Sequence, residues 1–160
     1  MNIHSFQSHR IAHEYTQTST ASPEKVFPLL CPVREADWIP GWQYQLIYSE
    51  SGVAELGCVF TTPGREGEPE ATWICVDYDP AAFRVAYVRI QPGRMTTEIC
   101  IQLSRAENGH TRSHICYRYT GLSQEGNREV DRHDRAWFES DMRVWEARIN
   151  HYLNTGKMAA

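Results

Sequence analysis

The stretch NREVDRHDRAWFESDMRVWEARINHYLN, residues 127–154, decides how the rest of the chain is read. It holds no Gly or Pro over 28 positions, the longest such run in the sequence. As a single helix it would span roughly 42 Å, enough to cross a small domain. On a 3.6-residue wheel Val130, Trp137, Phe138, Trp145, Ile149 and Tyr152 share one broad face. Asp134, Asp141 and Arg148 recur within that sector at intervals of seven. Carboxylates on a face that should be packed are costly unless they find partners, so this helix is predicted to do more than seal a core.

Working back from that run, the chain is mostly strands. Residues 10–20 are rich in Thr and Tyr and alternate as a β-strand does. Ser22-Pro23-Glu24-Lys25 is a helix start, with Ser as N-cap and Pro at the first helical position; Pro28 and Pro32 limit that helix to about two turns. A second short helix is predicted over residues 33–38, closed by the turn residues Ile39-Pro40-Gly41-Trp42. Strands are predicted over 44–49, 58–61, 71–78, 83–90, 95–103 and 111–120, with Glu107-Asn108-Gly109 as a hairpin signal between the last two. Met95, Thr97, Ile99, Ile101 and Leu103 share one strand face, as alternation requires.

Successive strands joined by tight turns make an antiparallel meander, not a doubly wound parallel sheet. The predicted class is α+β: a bent antiparallel sheet whose concave apolar face is covered by the long C-terminal helix, with two short helices after the first strand. Residues 1–9 read as a flexible arm, 10–155 as a single domain and 156–160 as a tail.

The chain has 160 residues, with 41% hydrophobic, 22% charged and 11% aromatic residues, and suits one domain with a sizeable core. A net charge of −4 gives no electrostatic reason to expect nucleic acid. No apolar run approaches the ~18 residues of a membrane span, and residues 1–10 lack the apolar core of a signal peptide. The five cysteines (Cys31, Cys58, Cys75, Cys100 and Cys116) are odd in number and lie mostly within apolar runs. They read as reduced thiols in a cytoplasmic protein. No CxxC is present, and His4, His9 and His13 lack helical ligand spacing, so no metal is expected.

The order of elements resembles the helix-grip superfamily, START-like or Bet v 1-like, which includes polyketide cyclases and lipid-transfer domains. The resemblance rests on residues 19–27 (Ser-Thr-Ala-Ser-Pro-Glu-Lys-Val-Phe), similar to that family's strand-to-helix junction, and on the long terminal helix with inward aromatics. It implies a cavity between sheet and helix that accepts a hydrophobic or aromatic small molecule of lipid or polyketide type, with no cofactor, in a monomer or homodimer. Cyclase- or dehydrase-type acid–base chemistry is one expectation. A non-enzymatic protein-interaction module of the chaperone-activator type is the alternative. Cavity size discriminates between them. Some 300 Å³ or more with converging polar groups favours ligand chemistry; a cavity filled by Trp73, Trp137 and Trp145 favours the module.

Candidate catalytic residues are Asp134 and Asp141, whose carboxyls would suit proton transfer at an enolisable ketone if burial raised their pKa. Structural ion pairs with Arg84, Arg89, Arg94 or Arg118 are the competing expectation. Candidate ligand-binding residues are Glu35, Trp38 and Trp42 at the cavity mouth, Trp73, Tyr87, Tyr117 and Tyr119 on the sheet, and Trp137, Phe138 and Trp145 on the helix. Aromatic side chains of this kind also serve as ordinary core packing.

Overall fold

The computed structural model describes residues 5–160. All seven predicted strands are present within a few residues of their expected ends: β1 (Arg10–Ser19), β2 (Gln45–Tyr48), β3 (Val59–Thr62), β4 (Ala71–Asp79), β5 (Arg84–Gln91), β6 (Met95–Arg105) and β7 (Thr111–Gly121). They form one antiparallel sheet in the order β1-β7-β6-β5-β4-β3-β2. Each strand after β2 pairs with its predecessor, while β1 returns to pair with β7. This is the predicted meander, and with the C-terminal helix it makes a helix-grip fold.

Alternation fixes which face is the core. Met95, Thr97, Ile99, Ile101 and Leu103 of β6 are all buried, and so are Thr111, Ser113, Ile115 and Tyr119 of β7. Two short helices follow β1: α1 (Pro23–Val26), continued by a 3-10 turn over Phe27–Leu29, and α2 (Pro32–Glu35). Val26, Phe27, Leu29 and Leu30 drive that segment into the core. Trp38 is fully buried behind it, donating its indole N–H to the Leu29 carbonyl at 3.1 Å.

The C-terminal run departs from expectation. It is not one helix but two, α3 (Gln124–Arg132) and α4 (Arg135–Thr155). Ser123 caps α3 by accepting from the Gly126 N–H at 3.0 Å. A Cβ at Gly126 would lie 1.7 Å from the Arg94 carbonyl oxygen, so α3 meets the β5–β6 turn more closely than any other residue type allows. At His133 the chain leaves helical geometry, and Asp134 restarts it as N-cap of α4, accepting from the Trp137 N–H at 2.8 Å. The break is held from the sheet, because the buried His13 of β1 places its Nε2 2.7 Å from the His133 carbonyl oxygen freed there. α4 ends at Gly156, whose φ of 69° lets its N–H return to the Tyr152 carbonyl. Phe138, Met142 and Ile149 are the stripe α4 buries against the sheet. Among the described residues no helix is long and apolar enough to cross a membrane.

Candidate functional site

The sheet presents two parallel rows on its concave face. Register places Cys75, Tyr87, Ile99, Tyr117 and His13 side by side across five strands. The neighbouring row runs Trp73, Arg89, Thr97 and Tyr119. Opposite them lie α2 and α4. Between these walls is an enclosed cavity of about 90 Å³ lined by, among others, Glu35, Trp42, Trp73, Tyr87, Tyr117 and Trp145. Four other depressions, of about 540, 490, 220 and 150 Å³, are larger and more open; of the aromatic residues lining this cavity they hold only Tyr117, in the 220 Å³ one, and Trp137 borders the 490 Å³ cleft.

The sequence-predicted residues therefore divide. Glu35, Trp42, Trp73, Tyr87, Tyr117 and Trp145 converge on one cavity. Phe138 packs behind Tyr117, ring centroids 5.5 Å apart, and stacks on His13. Tyr119 tilts against Tyr117 and stacks on His133. Trp38 packs edge-on against Trp145 from the core side and does not line the cavity. Trp137 is 41% exposed and stands over His133 at the open cleft. The aromatic wall is itself ordered by contacts: Phe60 stacks on Trp73 at 5.2 Å, Arg89 lies 5.6 Å over the Trp73 ring, and the Trp42 N–H donates to the Pro32 carbonyl.

Glu35 is the chemically distinctive member. It ends α2, a helix set by Pro32 at its start, and is half-buried along the cavity wall. Among the described residues its carboxyl has no hydrogen-bond or ion-pair partner, yet it is not sealed off, because it faces the cavity. Enclosure by protein, with no cation to offset it, raises its pKa from 4.5 to about 8. At neutral pH it is therefore a protonated acid with a free O–H. Tyr87 and Tyr117 are near enough for their pKa values to rise with the Glu35 charge, after the larger effect of burial. The Tyr87 hydroxyl is committed to the Leu30 carbonyl at 2.9 Å. The Tyr117 hydroxyl has no partner among the described residues.

Asp141 of α4 is exposed and is not among the residues that line the cavity, though it is near enough to Tyr117 and Tyr119 for its charge to act on both. Its carboxyl is raised above the ordinary range by burial, with Arg148, His133 and Arg65 pulling it back. Its charge in turn raises Tyr117 and Tyr119. Asp141 is exposed and Glu35 half-buried, and burial raises the carboxyl of each.

Asp134 does not join them, because its carboxylate is exposed and spent on the cap of α4. The ion pairs considered for these two acids are also absent among the described residues. Arg84 pairs with Asp77 and Asp79, Arg118 with Glu98, and Arg94 with Glu68, Glu125 and Glu129; Arg89 bonds Gln91. His9 pairs with Asp131 and His13 bonds the His133 carbonyl, so these two histidines do not converge; His4 lies outside the described residues. Phe60 lines the cavity and was not singled out by sequence reasoning, while Arg89 and Thr97, named there only as a possible ion-pair partner and a face residue, stand in the row beside it. Thr97 is buried with its hydroxyl unpartnered, between Arg89 and Tyr119 in the row. The clean alternation of β6 named its face but not its role.

No family model matches the chain, and no curated protein sequence matches it. Solved structures do. Norcoclaurine synthase from Thalictrum flavum, in complex with dopamine and hydroxybenzaldehyde, aligns with a TM-score of 0.68 at 13% identity over 94% of this chain and 90% of that one. An aromatase/cyclase from a Streptomyces species aligns at 0.66 and 12% identity over 94% and 100%. A Staphylococcus aureus protein of unknown function aligns at 0.69 and 14% identity over 94% and 97%. At these identities the likeness is one of fold.

Proposed function

We propose that the protein binds a small aromatic carbonyl compound between sheet and α4 and performs acid–base chemistry on it. The observation that carries this reading is the Glu35 carboxyl, which lines an aromatic cavity without a partner among the described residues, beside the free Tyr117 hydroxyl, its pKa raised by burial to about 8. A neutral carboxylic acid in such a setting is a donor to a ligand oxygen. In a dehydration, Glu35 gives its proton to a departing hydroxyl, which leaves as water, while Asp141 as carboxylate takes the proton from the adjacent carbon. Tyr117 orients the carbonyl, and Trp73 and Trp145 hold the ring. The norcoclaurine synthase in complex with dopamine and hydroxybenzaldehyde and the aromatase/cyclase, both similar in fold, support the ligand class. A cavity of about 90 Å³, walled by Trp73 and Trp145, is well below the ~300 Å³ expected for ligand chemistry, so volume alone favours the interaction module and the converging polar groups carry the ligand reading. It suits one ring, and a lipid or polyketide enters only if Trp42 or Trp145 moves.

The test is titration with hydroxybenzaldehyde, followed by quenching of tryptophan fluorescence, together with native mass spectrometry of the protein from its own host. Saturable quenching that Tyr117→Phe weakens, or a co-purifying aromatic compound, is the expected result. No saturable binding of any aromatic carbonyl compound and no co-purifying molecule overturns the reading.

The second reading, a protein-interaction module, draws on the small cavity and on the sheet edge. There Ile47 and Tyr48 of β2 and Val53 and Leu56 after it are all exposed. A stable protein partner recovered with the chain, and lost on Ile47→Ser with Leu56→Ser, would favour it.

A further inference from the structure

On the convex face of the sheet, remote from the cavity, three side chains of different donor chemistry meet. Glu14 of β1 is the register partner of Cys116 of β7. His114 lies two residues before Cys116 and so projects from the same face. Their donor atoms (a carboxylate oxygen, an imidazole nitrogen and a thiol sulfur) all lie within 4.8 Å of one another. His114 Nε2 is 3.4 Å from Cys116 Sγ and 3.8 Å from Glu14 Oε2. The Glu14 carboxylate has no Arg or Lys partner among the described residues, although most other acids of this face are paired.

We propose that Glu14, His114 and Cys116 form a zinc-class divalent metal site. The distances carry the argument. Zinc bonds of about 2.0–2.3 Å to N, O and S in tetrahedral geometry place neighbouring donors roughly 3.3–3.8 Å apart. Both measured separations from Nε2 fall in that window without any rearrangement. The donor set selects the metal: a thiolate with an imidazole favours zinc and its neighbours over magnesium or calcium, which take oxygen ligands. Adjacent strands hold Glu14, His114 and Cys116 at fixed register, so all three ligands are positioned by backbone hydrogen bonds and not by a mobile loop. Binding deprotonates the Cys116 thiol and releases that proton to solvent, and the fourth coordination position is left to water. Cys100 of β6, the register partner of Cys116 on its other side, flanks the site.

The experiment uses full-length protein, reduced with a phosphine and freed of metal. Zinc binding is measured by calorimetry, and cobalt(II) serves as the optical probe. The expected result is one equivalent of zinc and a cobalt–thiolate charge-transfer band that zinc displaces. Cys116→Ser removes the band. His114→Ala and Glu14→Gln each weaken zinc binding on the order of tenfold or more. All three positions are on the sheet's outer face and leave the core intact, which thermal melts of the variants check. Absence of stoichiometric binding overturns the proposal. So does a band that persists in Cys116→Ser, or affinity unchanged in both His114→Ala and Glu14→Gln, since binding would then belong to surface thiols alone.

Discussion

Glu35 shows how one side chain ties the site to the stability of the fold. Its pKa is raised in the folded state, from 4.5 to about 8, by enclosure. The folded chain therefore holds a proton that the unfolded chain has already lost above pH 4.5. The sign follows: stability from this group is full below that value, falls as pH rises, and is gone once pH passes about 8. The slope is about 1.4 kcal/mol per pH unit at most, and less where water in the cavity screens the charge. Glu35→Gln removes the slope. Thermal melts of the variant should match the parent near pH 5 and exceed it near pH 9. The same substitution keeps the shape of the site but cannot give up a proton, so turnover of an aromatic carbonyl substrate should fall about 100-fold or more with ligand affinity little changed. Asp141→Asn should lower turnover by a similar factor while leaving the melting temperature near that of the parent. Unchanged turnover would remove Asp141 from the chemistry.

At the scale of elements, the division between α3 and α4 separates two acids that a continuous helix would have aligned. Asp134 is an N-cap and Asp141 a group beside the tyrosine row, and the difference is made by a single interruption at His133. Asp134→Ala should destabilise the protein by about 1 kcal/mol, measured by denaturant unfolding, with turnover unaffected. A catalytic Asp134 would show the reverse pattern. The short helices have the complementary role. Pro32 starts α2 beside the cavity, and α2 ends at Glu35, so a four-residue element delivers the acid. Buried Trp38, bonded to the Leu29 carbonyl, braces that element from behind.

At the scale of the whole molecule, the cavity is small because aromatic side chains from three directions fill it: Trp42 from the segment after α2, Trp73 from the sheet and Trp145 from α4. Trp145→Ala should enlarge it and cost about 3–5 kcal/mol, as large-to-small core substitutions do. If ligand size is limited by this wall, two-ring compounds should bind the variant and not the parent, as read by isothermal titration. Equal exclusion of two-ring compounds by both would mean that the wall is not the limit.

The meander was legible in the order of residues alone. Period-2 alternation, turn residues and Pro positions are local properties, and they specified seven strands, two short helices and a helical C-terminus. The sequence also named six of the seven aromatic and acidic residues that line the cavity, because large polar-tipped side chains on a concave face have few other places to go; Phe60, which has no polar tip, escaped it. It did not determine the break at His133, since 127–154 carries no Gly or Pro and the interruption depends on His13, 120 residues away, taking the freed carbonyl. Nor did it rank Glu35 above Asp134, because a pKa follows from what surrounds a carboxyl in space. The grouping of Glu14 with His114 and Cys116 arises only from the β1–β7 register. Local pattern is written in the order of residues, whereas enclosure, cavity volume and cross-strand neighbours exist only once the chain has closed on itself.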